Sequence, residues 1–115
     1  MPESDAVVEV HAPRAGIMVV TPKSDVDLSR SPELRNALRG AQDRKPDRLI
    51  VDLSDVGYMD SSGLATLVEA MRTAKTTGAP LILASMHQKV RAIFEIARLD
   101  QFFTIVDSVD AALEV

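Results

Sequence analysis

Apolar residues fall in short runs separated by polar stretches rich in turn formers. Val7, Val8 and Val10 make the first run, and Ile17, Met18, Val19 and Val20 the second. Residues 13–16, with Pro13 and Gly16, read as the turn of a hairpin between them. Residues 21–30 are polar, with Pro22, Asp25 and Asp27, and read as a loop. Ser31-Pro32-Glu33 reads as a helix start, with Ser as the cap, Pro in the first turn and Glu complementing the dipole. Leu34, Leu38 and Ala41 then share one helical face with Ala37 beside them, and residues 42–47 form a loop. Leu49, Ile50, Val51 and Leu53 read as a buried strand, followed by a turn at residues 54–57. Leu64, Leu67, Val68, Met71 and Ala74 recur at helical spacing, with Glu69, Arg72 and Lys75 on the opposite face. Thr77-Gly78-Ala79-Pro80 stops that helix.

Leu81, Ile82, Leu83 and Ala84 form the next strand. Val90, Ile93, Phe94 and Ala97 mark a third helix started by His87, with Arg91, Glu95 and Arg98 outside. Phe102 and Phe103 should pack over the end of the sheet, Thr104 to Val106 make a short strand, and Ser108 caps a last helix holding Val109, Ala112 and Leu113. Met59, Met71 and Met86 read as core fillers, at least one of Tyr58 and Met59 should point inward, and His11 falls at a strand end. Strands separated by helices argue for an α/β fold: a mixed, mostly parallel sheet of about four or five strands with about four helices. One domain over residues 1–115 is expected, with its core at about residues 7–113 and a frayed tail at residues 1–6.

Composition narrows the function. An apolar share of 46% over 115 residues suits a globular domain. Net charge is −4 and the basic residues alternate with acids, which argues against nucleic-acid binding. With no cysteine, thiolate and disulfide chemistry are excluded, and the absence is compatible with a reducing cytoplasm. The two histidines, His11 and His87, lie far apart, and no spacing suggests a metal site. No apolar run nears the roughly 20 residues of a membrane span, and the N-terminal residues lack a secretory pattern.

The chemistry concentrates at Asp60-Ser61-Ser62-Gly63, where a strand and turn hand over to a helix N-terminus. Four N–H groups at such an end lack helical partners and the dipole is positive there, so the place suits an anion, including a phosphate carried by a serine. Capping alone also uses Asp and Ser, but one capping residue suffices and three polar side chains stand together here. Ser61 lies in no Gly-x-Ser-x-Gly elbow, no Gly-rich phosphate loop occurs, and neither histidine is placed beside it, so catalysis by this chain is not expected. Asp25 and Asp27 have no third ligand spaced for a cation.

Val-Asp-Leu-Ser-Asp-Val-Gly-Tyr-Met-Asp-Ser-Ser-Gly-Leu (residues 51–64) closely resembles the signature of the STAS domains, which include the bacterial anti-sigma factor antagonists. Asp25-Val26-Asp27 with Pro32-Glu33-Leu34, residues 78–85 and residues 90–99 support the match, which covers about residues 7–113. The resemblance implies a binding module without a cofactor. It implies that Ser61, directly after Asp60, is phosphorylated by a serine-kinase-type anti-sigma factor that supplies its own ATP, and that a phosphatase, of the PP2C-like kind, reverses the reaction. Unphosphorylated chain would bind that partner and free a sigma factor in the cytoplasm. Asp27 matches a carboxylate near the phosphorylation site. Asp27, Asp60, Ser61, Ser62, Gly63 and Leu64 are the expected partner surface, with Ser24 standing where the family often has Gly. The alternative is a STAS subunit of a transport or stressosome-like assembly without sigma control.

Overall fold

The computed structural model describes residues 7–115; the tail expected at residues 1–6 lies outside them. One sheet holds strands β1 (Val8–Arg14), β2 (Ile17–Pro22), β3 (Arg48–Asp52), β4 (Leu81–Ala84) and β5 (Thr104–Val106). The helices are α1 (Ser31–Asp43), α2 (Ser61–Thr77), α3 (Gln88–Ile96) and α4 (Val109–Leu113). Strand order in space follows chain order. β1 pairs antiparallel with β2 and every other pair is parallel, which is the mixed architecture expected.

Sequential order dictates where the helices go. Crossovers of one hand through strands that advance in one direction must all return on the same face. α1, α2 and α3 accordingly pack on the face bearing Met18, Val20, Leu49, Val51, Leu81 and Leu83. The alternate residues Ile17, Val19, Ile50, Ile82 and Ala84 point to the other face, where α4 meets them through Val109, Ala112 and Leu113. Burial on both faces explains why these strands read as unbroken apolar runs. Leu34, Leu38, Leu67 and Phe94 are at most 2% exposed, and each such side chain contributes about 1.5–3 kcal/mol by leaving water. Arg48 holds α4 in place, its guanidinium donating to the carbonyls of Leu113 at 2.7 Å and Ala112 at 3.2 Å at the helix C-terminus.

Several local expectations change. β1 runs through Pro13 to Arg14, so His11 lies mid-strand and the turn shrinks to Ala15-Gly16. Pro13 has no N–H to give to a ladder and lies on an edge strand, where the register shifts between His11 and Arg14. Ser31 is a buried first helical residue rather than the cap of α1; Arg30 holds the cap position without a side-chain bond. The start of α1 is instead tied by Asp27, whose Oδ1 accepts from the N–H groups of Ser29 and Arg30 and from the Ser29 hydroxyl. α1 also continues to Asp43, and Ala97 is an exposed C-cap after α3 rather than part of its buried face. α2 buries Thr66 and Ala70 as well, because α1 packs along it. Glu69, expected on the solvated face, is bound by Arg35 at 3.2 Å and Arg39 at 2.6 Å.

Candidate functional site

The loops that follow β2, β3 and β4 emerge at the carboxyl ends of the parallel strands, the edge where open α/β sheets usually build their sites. Two of them are zipped together. Val26, in the stretch expected to be only polar loop, is 2% exposed and forms a parallel bridge with Met59. The Val26 N–H donates to the Tyr58 carbonyl at 3.0 Å, and the Asp60 N–H donates to the Val26 carbonyl at 3.1 Å. Asp25 reinforces the join, its Oδ1 accepting from the N–H groups of Gly57 at 2.8 Å and Tyr58 at 3.1 Å. Lys23 adds an ion pair to Asp55 at 2.8 Å. The third loop joins through His87, whose Nε2–H donates to the Ser54 carbonyl at 2.6 Å. Ser24 has no positive φ, so this turn does not need the conformational freedom of glycine.

Asp60 is the N-cap of α2. Its Oδ1 accepts from the Ser62 N–H at 2.9 Å, the Gly63 N–H at 3.2 Å and the Ser62 hydroxyl at 2.6 Å. Its Oδ2 accepts from the Leu28 N–H at 3.1 Å. The Ser62 hydroxyl is the main reason its carboxyl titrates below the usual aspartate range, with the backbone donors adding to it and partial desolvation opposing. Asp27 is likewise lowered, chiefly by the Ser29 hydroxyl, while the nearby charge of Asp60 pushes the other way. The two carboxylates are therefore ionised neighbours at neutral pH.

These bonds correct the picture of an empty anion seat. Of the four N–H groups at this helix end, those of Asp60, Ser62 and Gly63 already have acceptors. Only the Ser61 N–H has no partner among the described residues. The Ser61 side chain is exposed, at the first position of α2, and its hydroxyl makes no hydrogen bond to a described residue. An anion attached to Ser61 would thus meet one open donor and the carboxylates of Asp60 and Asp27.

The other predicted positions separate into surface and support. Asp27 is exposed; Asp60, Ser62 and Leu64 are half-buried. Gly63 is buried and offers no surface to a partner. A Cβ there would lie 2.5 Å from Met59 Cγ and 3.0 Å from Val26 Cγ1, so glycine is required for α2 to press on the zipped loops. Tyr58, 52% exposed, and Leu28, 74% exposed, stand on those loops. The sequence carried no signal for them: Leu28 falls in a stretch that reads as polar loop, and Tyr58 beside buried Met59 looks like more core. A cleft of about 630 Å³ lined by Asp43, Lys45, Asp47 and Thr77 lies where α1 and α2 end, away from Ser61.

A family model described as the STAS domain matches residues 10–112, and the chain belongs to that family. It is similar to the anti-sigma-B factor antagonist of Bacillus subtilis, with 31% identity over 70% of this chain and 73% of that protein. The crystal structure of an anti-sigma factor antagonist from Mycobacterium paratuberculosis superposes with a TM-score of 0.84 at 23% identity, over 93% of this chain and 90% of the other. The Bacillus protein SpoIIAA matches at a TM-score of 0.72 in both its unphosphorylated form (16% identity; 93% and 94% covered) and its phosphorylated form (17%; 93% and 97%). The fold also recurs within a murine Slc26a9 anion transporter, with a TM-score of 0.76 at 22% identity over 87% of this chain and 17% of that one.

Proposed function

We propose that this chain is an anti-sigma factor antagonist switched by phosphorylation of Ser61. The observation that carries the reading is the Ser61 hydroxyl: exposed, at the mouth of α2, and free of described hydrogen-bond partners while its neighbours are tied. A serine-kinase-type anti-sigma factor docks on the zipped loops and the start of α2, which frees its sigma factor. That partner holds the ATP. The γ-phosphoryl group passes to Ser61 Oγ, the hydroxyl proton leaves and ADP is released. A PP2C-like phosphatase returns the serine, and the cycle runs in the cytoplasm. The chain itself is a binding module, not an enzyme: no described side chain is hydrogen-bonded to the Ser61 hydroxyl to serve as its base.

Charge explains the off state. A phosphoserine adds about −1.5 to −2 charge at neutral pH. Here it joins Asp27 and Asp60 at a helix end whose donors are largely spent, so little within the chain compensates it. The charge faces outward and must be desolvated against any partner. SpoIIAA superposes on this chain with a TM-score of 0.72 in its unphosphorylated and its phosphorylated form alike, so phosphorylation there is compatible with the shared fold.

The test is to incubate the chain with candidate serine kinases of its own genome and ATP, and to map added phosphate by mass spectrometry. Labelling at Ser61 that Ser61→Ala abolishes supports the proposal; labelling lost only in Ser62→Ala moves the site. The second reading, a subunit of a transport assembly, draws on the anion-transporter likeness. Stable copurification with a membrane complex and no kinase would favour it.

A further inference from the structure

Five large apolar side chains stand exposed among the described residues: Val10, Leu28, Tyr58, Ile96 and Val115. Single exposed apolar residues are ordinary. Leu28 and Tyr58 differ from the other three because they occupy the two loops that are hydrogen-bonded to each other beside Ser61. Their backbones are held: the Leu28 N–H by Asp60, the Tyr58 N–H by Asp25, and the Tyr58 carbonyl by the Val26 N–H. Ordering a side chain at an interface costs conformational entropy, and more when its loop must also be fixed. A fixed backbone removes the second cost, so this pair is ready to be gripped.

The charges around the pair have one prevailing sign. Residues 23–30 and 54–61 carry four carboxylates (Asp25, Asp27, Asp55 and Asp60) and two cations (Lys23 and Arg30). One of those cations, Lys23, is already paired with Asp55. We infer that Leu28 and Tyr58 are the apolar anchors by which the partner kinase grips the unphosphorylated chain, set in an acidic rim that calls for basic side chains on the kinase. This rests on the antagonist reading above. Apolar anchors ringed by polar contacts are the usual energetic centre of such interfaces, and aromatic residues are favoured in that role. A phosphate on Ser61 would weaken this grip because stripping its hydration shell beside the pair costs more than its attraction to those basic groups returns.

The experiment uses the kinase that labels Ser61, held in ADP so that no transfer occurs, and measures its affinity for the full chain by calorimetry. Leu28→Ser and Tyr58→Ser should each weaken binding about tenfold or more, with the amide spectrum of the fold preserved. Leu28→Met and Tyr58→Phe should restore it. Ile96→Ser is the control. Ile96 is 84% exposed at the far end of α3, which leaves the site edge after β4, and its loss should change nothing. Wild-type affinity in both serine variants, or an equal loss in Ile96→Ser, overturns the inference. If no kinase labels wild-type Ser61, the antagonist reading fails first and the anchors fall with it; labelling with unaffected variants sinks the anchors alone.

Discussion

Asp60 and Leu28, 32 positions apart in the chain, share a hydrogen bond of 3.1 Å from the Leu28 N–H to Asp60 Oδ2. The other carboxylate oxygen caps α2 beside Ser61. One side chain thus sets both the helix that presents the phosphoacceptor and the loop that presents Leu28. Asp60→Ala should lower the urea midpoint of unfolding and speed hydrogen exchange at the Leu28 amide. Asp60→Asn should do less of both, since an amide oxygen still accepts. Equal exchange in wild type and Asp60→Ala would show that the link does not hold the loop.

Acid should loosen this corner in a defined direction. Asp60 and Asp27 titrate below the ordinary aspartate value in the folded chain, chiefly through the hydroxyls of Ser62 and Ser29. A lowered folded pKa means the contribution is full above the unfolded value, near about 3.9, and is lost as pH falls through the folded one. Stability should therefore drop as pH is taken from neutral to below about 4, as read by urea unfolding. Asp60→Asn should flatten that drop.

Gly63→Ala sets two effects against each other. Alanine gains up to about 1 kcal/mol of helix propensity over glycine. The new methyl meets Met59 Cγ at 2.5 Å and Val26 Cγ1 at 3.0 Å, on side chains that are 1% and 2% exposed. Overpacking of that kind costs about 1–3 kcal/mol, so the variant should be less stable on balance. In a Met59→Ala background the closest contact is gone and only Val26 Cγ1 at 3.0 Å remains, so the cost of Gly63→Ala should shrink. A double-mutant cycle by denaturation reads both outcomes.

Phe94 is fully buried and meets Phe103 edge-to-face, with ring centroids 5.4 Å apart. Phe94→Ala should cost about 3–5 kcal/mol, measurable as a shifted denaturant midpoint, and it should do so without altering the surface around Ser61.

The parts of this fold that were legible in the sequence are those where local pattern and tertiary burial agree. The unbroken runs at Leu49 to Val51 and Leu81 to Ala84 are buried on both faces, and the pattern shows it. The cap of α4 by Ser108 is a local bond, donated by the Ala111 N–H at 3.0 Å, and needed no context. Val26 was illegible because a lone valine between Asp25 and Asp27 has no period; its burial comes from Met59, more than 30 positions on. Ser31 was misread because the donors at the start of α1 are met by Asp27 from outside the first turn. The residues of the candidate site were legible by type, through Asp60-Ser61-Ser62-Gly63. Their roles were not: which serine is tied, which is open and which residue lies beneath the surface depend on the zipped loops.

The central claim is that one phosphate on Ser61 decides whether the partner stays bound. The most direct measurement is the affinity of the labelling kinase for the chain before and after stoichiometric phosphorylation of Ser61, with amide spectra of both forms. The account expects binding to weaken at least about tenfold, some 1.4 kcal/mol, with shifts confined to the loops and the start of α2. Unchanged affinity in the phosphorylated form, or shifts spread through the whole sheet, would contradict it.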